Sequence, residues 1–172
     1  MLFRSRVPAE NIIGGHEGLG FKTAMKVLDK ARLNIAAVCV GAATRMLNEA
    51  LTYAMDRKQF GQPVAEFQLV QAMLADCQAE LYAAKSMTLD AARKRDEGGN
   101  ITMEAACCKY FASEMCCRVA DRAVQIHGGA GYMADSPVER FYRDVRLFRL
   151  FEGTSQIQQL VIARNMIKSA GR

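Results

Sequence analysis

The chain of 172 residues has no tryptophan, only three prolines and only two histidines. So little proline leaves long stretches free to stay helical, because proline in a helix interior removes a hydrogen bond and collides with the preceding turn. Six cysteines stand at 39, 77, 107, 108, 116 and 117, and none forms a Cys-x-x-Cys pair. The two adjacent pairs fall on one helical stretch, where neighbouring side chains point apart. With so few histidines to help, converging zinc ligands are not expected and no metal is predicted. The cysteines read as free thiols used as small core residues in a reducing compartment. No apolar run approaches the ~20 residues of a membrane span. The opening Met1–Ser5 is too short and too soon polar for a secretory leader, and reads as a cut end. Low-complexity tracts, internal repeats and strand patterns are missing as well.

Hydrophobic residues make up 51% of the chain, enough for a core. Lysine and arginine number 23 against 18 acidic residues, a formal charge of +5. The two signs are interspersed. The densest basic run, Arg140–Arg149, also holds Asp144 and apolar residues, so it reads first as a solvated face and second as a seat for a phosphorylated small molecule. No base-reading motif accompanies the charge, and no nucleic-acid partner is expected.

Apolar periodicity organises the rest. Phe21, Met25, Leu28, Ile35, Cys39, Ala42, Met46, Ala50 and Ala54 recur at helical spacing, predicting a helix from about Leu19 to Asp56 with Arg32 on its apolar stripe. Gly61 and Pro63 break it. A second helix is predicted over about Ala65–Asp96, with Phe67, Val70, Leu74, Cys77, Leu81 and Ala84 inward and a stop at Gly98-Gly99-Asn100. A third starts at Thr102 as N-cap and carries Ala105, Cys108, Ala112, Met115, Val119, Ala123 and Ile126 on one side. Pro137 opens a short helix. The last helix follows Gly153, with Ser155 and Gln158 as a capping box and Ile157, Leu160, Val161, Arg164 and Ile167 as its stripe. The fold class is all-α, an up-and-down four-helix bundle of long helices over residues 18–172, preceded by an irregular lead-in over 1–17.

Three runs could carry chemistry. Gln125-Ile126-His127-Gly128-Gly129-Ala130-Gly131-Tyr132 is either a helix-terminating loop or a place where backbone approaches a ligand. Asp56-Arg57-Lys58-Gln59-Phe60-Gly61, with Gln68 beyond, offers cations suited to a helix C-terminus, or an arginine for a phosphate with an aromatic beside it. Leu150-Phe151-Glu152-Gly153-Thr154-Ser155-Gln156 sets a carboxylate among apolar residues just before a helix. It is either an acidic residue favoured at a helix N-terminus or a base strengthened by loss of water.

Taken in order, these runs resemble the acyl-CoA dehydrogenase family. So do Val-Pro-x-x-Asn at Val7–Asn11, Gly18-Leu19-Gly20-Phe21, Tyr142-Arg143-Asp144 and Glu152-Gly153-Thr154. The resemblance covers about Val7 to Lys168. It implies the C-terminal bundle of a larger subunit, with 1–17 ending a β middle domain that lies outside this chain. It implies FAD as cofactor, held by Arg57 at the pyrophosphate, Phe60 and Gln68 along the nucleotide, Gln125 and Gly129 of the glycine loop, and Thr154 and Gln156 at the AMP half. It implies Glu152 as the base that takes the α-proton of an acyl-CoA, with the thioester oxygen bonded by the Glu152 backbone N–H. Asp29, Arg32 and Gly153 match substrate-side positions. The family's other base position matches Ala31, which cannot act as one. Phe151 stands where tyrosine is frequent. Implied partners are the acyl-CoA, an electron-transfer flavoprotein, and further copies of the chain in a dimer or tetramer. The bacterial cytoplasm, or the mitochondrial matrix in a eukaryote, is the expected compartment. Competing readings are a catalytically incompetent oligomerisation bundle and an acyl-CoA oxidase.

Overall fold

A computed structural model describes residues 6–171, so the cut-end reading of Met1–Ser5 lies outside the described residues. Five α-helices carry the fold: α1 (Gly20–Asp56), α2 (Gln68–Asp96), α3 (Thr102–His127), α4 (Pro137–Val145) and α5 (Ser155–Ser169). The all-α class is therefore correct, with two additions. Residues 58–63, where no strand was expected, form a two-stranded ladder of β1 (Lys58–Gln59) and β2 (Gln62–Pro63). And the bundle is not closed by four equal helices. The helices α1, α2 and α3 pack on one another, while α4 and α5 lie against α3.

The core explains this arrangement. Ala36, Ala43 and Ala50 recur every seven residues on α1 and are buried in the same core as Ala105, Ala112 and Val119 of α3, the helix α1 packs against. A near-seven repeat of small residues keeps two long helices in contact over many turns at close range. All seven residues of the expected α3 stripe are buried. Four buried cysteines, at 39, 77, 108 and 116, fill gaps between the helices, and all six thiols are free. Burial pushes the Cys108 thiol up to about 11, which keeps it protonated and inert at neutral pH.

Several expectations are corrected. Phe21 and Met25, assigned to the inward stripe of α1, are exposed. The buried face of α1 starts only at Arg32, close to where α3 begins, since Thr102, the first residue of α3, bonds Asp29. The α5 stripe is likewise open: Ile157, Leu160 and Ile167 are 45–57% exposed, and the buried α5 residues are the polar Ser155 and Gln158. The cap positions shift by one. Thr154, not Ser155, caps α5, its hydroxyl accepting from the Ile157 N–H at 3.3 Å. Thr102 is the first residue inside α3, and its N–H donates to Asn100 Oδ1 at 3.0 Å. α2 starts at Gln68 rather than Ala65, because residues 64–66 form a separate 3-10 turn behind the hairpin. The lead-in before α1 holds one short turn at Ala9–Asn11, and residues 6–19 are exposed throughout.

Candidate active site

Two patches gather the residues singled out from sequence. The first is at the C-terminal end of α1. Arg57 ends that helix, its N–H donating to Tyr53 O at 2.8 Å, and its carbonyl accepts from Val64 N–H at 2.8 Å. That closes a hairpin whose two-residue turn is Phe60 (φ 52°) and Gly61 (φ 84°). A two-residue hairpin turn with both central residues left-handed is the common tight connection, but it favours Asn or Gly at the first position. Here a phenylalanine occupies it, 94% exposed, with only Phe67 edge-on at 6.2 Å. Gln68 is exposed just beyond.

The glycine loop closes the other wall of this patch. Gly128 ends α3 with φ 58° and ψ −140°, a conformation that only glycine adopts readily. Between it and α1 lies a hollow of about 430 Å³ lined by Arg57, Gly129 and the Tyr53 and His127 rings. His127 is structural: its ring stacks on Tyr53 at 4.3 Å and its Nδ1 lies 2.8 Å from Ala123 O. The structure thus brings Arg57 and Gly129 together but not Gln125. That side chain lines a separate hollow of about 530 Å³ with Tyr132, Tyr142 and Arg143. The basic run 140–149 is largely a solvated face, as expected, with Arg143 on Glu139 and Arg149 on Glu114.

The second patch is the turn before α5. Glu152 has φ 55° and Gly153 φ 88°, so the carboxylate rides on a left-handed non-glycine. Its Oε2 is buried with no hydrogen-bond partner, although the residue as a whole is half-buried. The ring of Phe151, the preceding residue, stacks on Phe148 with centroids 5.8 Å apart. Among the described residues the Glu152 N–H donates to no protein acceptor. From below, Gln158 Nε2 donates to the carbonyls of Glu152 (3.2 Å) and Gly153 (3.0 Å), and Lys109 Nζ donates to Gly153 O at 2.7 Å. Glu114 ties both flanks, accepting from Arg149 Nε at 2.8 Å and Ser155 Oγ at 2.6 Å. Gln156 is exposed and Thr154 serves as the helix cap.

Asp29 and Arg32 belong to this second patch. Arg32 is 7% exposed and donates to Asp29 Oδ1 at 2.9 Å, leaving its Nε buried and unpartnered. Asp29 Oδ2 also accepts from Thr102 Oγ1 at 2.9 Å, so this carboxylate fixes both Arg32 and the start of α3. The charges of Arg32 and Glu152 both act on Lys109, and burial pushes the Lys109 ammonium down, away from its usual range.

Sequence reading missed Lys109, Glu114 and Gln158 as site residues. Lys109 carried a signal: it sits on the α3 stripe between the buried Ala105 and Ala112, where a lysine is out of place. Glu114 and Gln158 carried none, because their partners come from other elements.

The sequence pattern described as "Acyl-CoA dehydrogenase, C-terminal domain" matches residues 18–167. The chain is 49% identical over 163 residues to a probable acyl-CoA dehydrogenase of Bacillus subtilis, covering 95% of this chain and 43% of the relative. It is 47% identical over 163 residues to a subunit of the caffeyl-CoA reductase–Etf complex of Acetobacterium woodii, with the same coverage. Among solved structures it superposes on butyryl-CoA dehydrogenase from Megasphaera elsdenii with a TM-score of 0.87 and 40% identity, covering 89% of this chain and 40% of that one. The chain therefore spans less than half the length of the relatives it matches. With its helices, its glycine loop and its Glu-Gly-Thr turn in place, the chain belongs to the acyl-CoA dehydrogenase family, as that family's C-terminal domain.

Proposed function

We propose that this chain is the base-bearing domain of an FAD-dependent acyl-CoA dehydrogenase that converts an acyl-CoA to its trans-2-enoyl-CoA, with Glu152 removing the α-proton. One observation carries the reading. Among the described residues only two non-glycines have positive φ, Phe60 and Glu152, each followed by a left-handed glycine. Such residues cost about 1–3 kcal/mol each and persist where function holds them. Both are residues that the family resemblance had marked, one for cofactor and one for chemistry.

The α-carbon beside a thioester is weakly acidic, so the base must be strong and the enolate-like charge must be stabilised. Toward the first need Glu152 offers a buried Oε2 with no hydrogen-bond partner to compete for the proton. Its own N–H, free of protein acceptors, meets part of the second by donating to the thioester oxygen. FAD, when bound, supplies the acceptor for the hydride from the β-carbon. The hollow at the first patch suits its phosphates: an arginine on one wall, and on the other a glycine, Gly129, at which even an added Cβ would meet nothing within 4 Å. Arg57, Phe60, Gln68 and Gly129 would hold it there. Thr154 and Gln156 would meet it at the second patch, and Gln125 would meet it from the neighbouring hollow.

The two patches lie far apart. From Arg32 to the end of α1 is 24 residues, roughly 36 Å at 1.5 Å per residue. That exceeds the reach of one dinucleotide, so the cofactor at the Glu152 patch of one copy would meet the Arg57 patch of another. The open stripes of α1 and α5 are then surfaces for the middle domain and neighbouring copies. This supports a homo-oligomer and a subunit whose residues 1–17 end the middle domain. An electron-transfer flavoprotein is the proposed electron acceptor, and the bacterial cytoplasm the proposed setting.

A second reading reverses the direction. The Acetobacterium relative is named as a reductase, and the same carboxylate, once protonated, can return a proton to the α-carbon of an enoyl-CoA. The test is a full-length subunit carrying this domain. It should purify yellow, and its flavin absorbance should bleach on adding butyryl- or octanoyl-CoA. Absence of flavin would favour the incompetent bundle, peroxide formation the oxidase, and re-oxidation by an enoyl-CoA alone the reductase.

Phe60→Asn should separate strain from binding in that same subunit. Asparagine tolerates the left-handed turn, so flavin-free protein should gain about 1 kcal/mol of stability. FAD affinity should fall by about 1–3 kcal/mol with loss of a stacking ring. Unchanged FAD affinity by titration would remove Phe60 from the cofactor site.

A further inference from the structure

Lys109 is buried completely, yet among the described residues no carboxylate forms an ion pair with it. A lysine in such a place is costly, and packing alone does not call for one. Its observed bond is to Gly153 O at 2.7 Å, directly behind the residue assigned as the base. Gln158, also fully buried, donates to that same carbonyl at 3.0 Å and to Glu152 O at 3.2 Å, and its Oε1 has no partner. Two donors from α3 and α5 thus converge on two successive carbonyls of a turn whose backbone is left-handed twice over.

We propose that Lys109 and Gln158 are positioning residues for the base: they clamp the carbonyls of Glu152 and Gly153 and so hold the strained turn that aims the Glu152 carboxylate at the substrate α-carbon. The inference rests on Glu152 being the base. The arrangement has a chemical consequence. An ammonium bonded to the carboxylate would occupy the lone pair that must take the proton. Bonded to the carbonyl of the next residue, it fixes the turn and leaves Oε2 without a partner. The room is tight: a Cβ on Gly153 would lie 2.6 Å from Gln158 Nε2 and would displace that amide from the carbonyls it bonds. Without the clamp the turn can relax toward ordinary backbone angles, which swings the carboxylate away. A misplacement of about 1 Å costs on the order of 10²-fold in rate.

The test compares Lys109→Met and Gln158→Leu with the parent and with Glu152→Gln in the full-length, FAD-loaded subunit. The probe is whichever of butyryl-CoA and octanoyl-CoA the parent oxidises faster. Exchange of its α-proton in D2O is measured per bound flavin, beside kcat, KM, flavin content and thermal midpoint. α-Proton exchange reports base placement, and a residue that merely supports the fold would not alter it per loaded site. The expected result is a fall of roughly 10²-fold in both exchange and kcat for each variant, with KM within a few-fold of the parent. Exchange at the parent rate in both variants, while Glu152→Gln abolishes it, overturns the clamp and leaves the base intact. Exchange retained in Glu152→Gln overturns the base assignment itself. If neither variant loads flavin, the pair supports the whole domain rather than the turn, and the proposal fails.

Discussion

Glu152→Gln in the full-length subunit should lower kcat by about 10²–10⁴-fold, the range for loss of a positioned general base. The substitution keeps the shape of the side chain and removes its ability to take a proton. The turn should survive, because its hold comes from below: Lys109 and Gln158 bond the main-chain carbonyls, and Glu114 bonds Arg149 and Ser155 on either flank. Flavin content and thermal midpoint should therefore stay near parental values. Among the described residues, the first bundle helix offers no carboxylate in its place. The resemblance matches the family's alternative base position to Ala31, which has no carboxylate, and Asp29 on the same helix is held by Arg32 and Thr102. A variant that retains the parental rate on every chain length would show that the proton leaves by another route.

The glycine loop should divide cleanly into a part that serves the fold and a part that serves the ligand. A Cβ on Gly131 would lie 2.7 Å from His127 Cβ, 2.8 Å from Val124 O and 3.1 Å from Val124 Cα. What must yield is the backbone of α3, so Gly131→Ala should cost about 1–3 kcal/mol, at the upper end of that range. Denaturant unfolding should show a lower midpoint at constant slope. A Cβ on Gly129 meets nothing within 4 Å, and Gly129 does not have positive φ. Gly129→Ala should leave stability within about 0.5 kcal/mol, as for substitutions away from packed features. Its methyl instead enters the hollow beside Arg57 and should weaken FAD binding. Equal loss of stability in the two variants would show that the loop is one structural unit with no surface set aside for cofactor.

Much of this was legible in sequence. The three long helices follow from uninterrupted apolar periodicity, and the stripe of α3 is buried as the spacing requires. The breaks near Gly61-Gln62-Pro63 and Gly98-Gly99 follow from residues that favour turns over helix, with Gly61 and Gly98 at positive φ. The proposal of Glu152 as the base was open to sequence only because several short runs stand in a family's order. No single run would have separated a catalytic glutamate from one favoured at a helix start.

The apolar stripes of α5 and of the first turns of α1 show the opposite case. Periodicity says that a face is apolar, and it cannot say which body covers it, so residues expected in the core lie open on this chain. The caps shifted by one residue because Thr154, Ser155, Asn100 and Thr102 are all chemically competent to cap. At α5 the choice follows Glu114, which engages Ser155 and leaves Thr154 to cap; at α3 it follows Asp29, which accepts from the Thr102 hydroxyl.

What the sequence determined by itself is therefore local: helix lengths, breaks, thiols destined for the interior, and a carboxylate set among aromatics. What only the tertiary structure decided is non-local. It strained Phe60 and Glu152 into left-handed backbone, set Arg57 beside Gly129 while turning Gln125 away, and buried Lys109 under the base. The physical reason is the reach of the interactions. Helix propensity and periodicity act over three to seven residues, whereas the bond from Lys109 to Gly153 joins positions 44 apart in the chain, which only the packing of α5 against α3 brings within 2.7 Å.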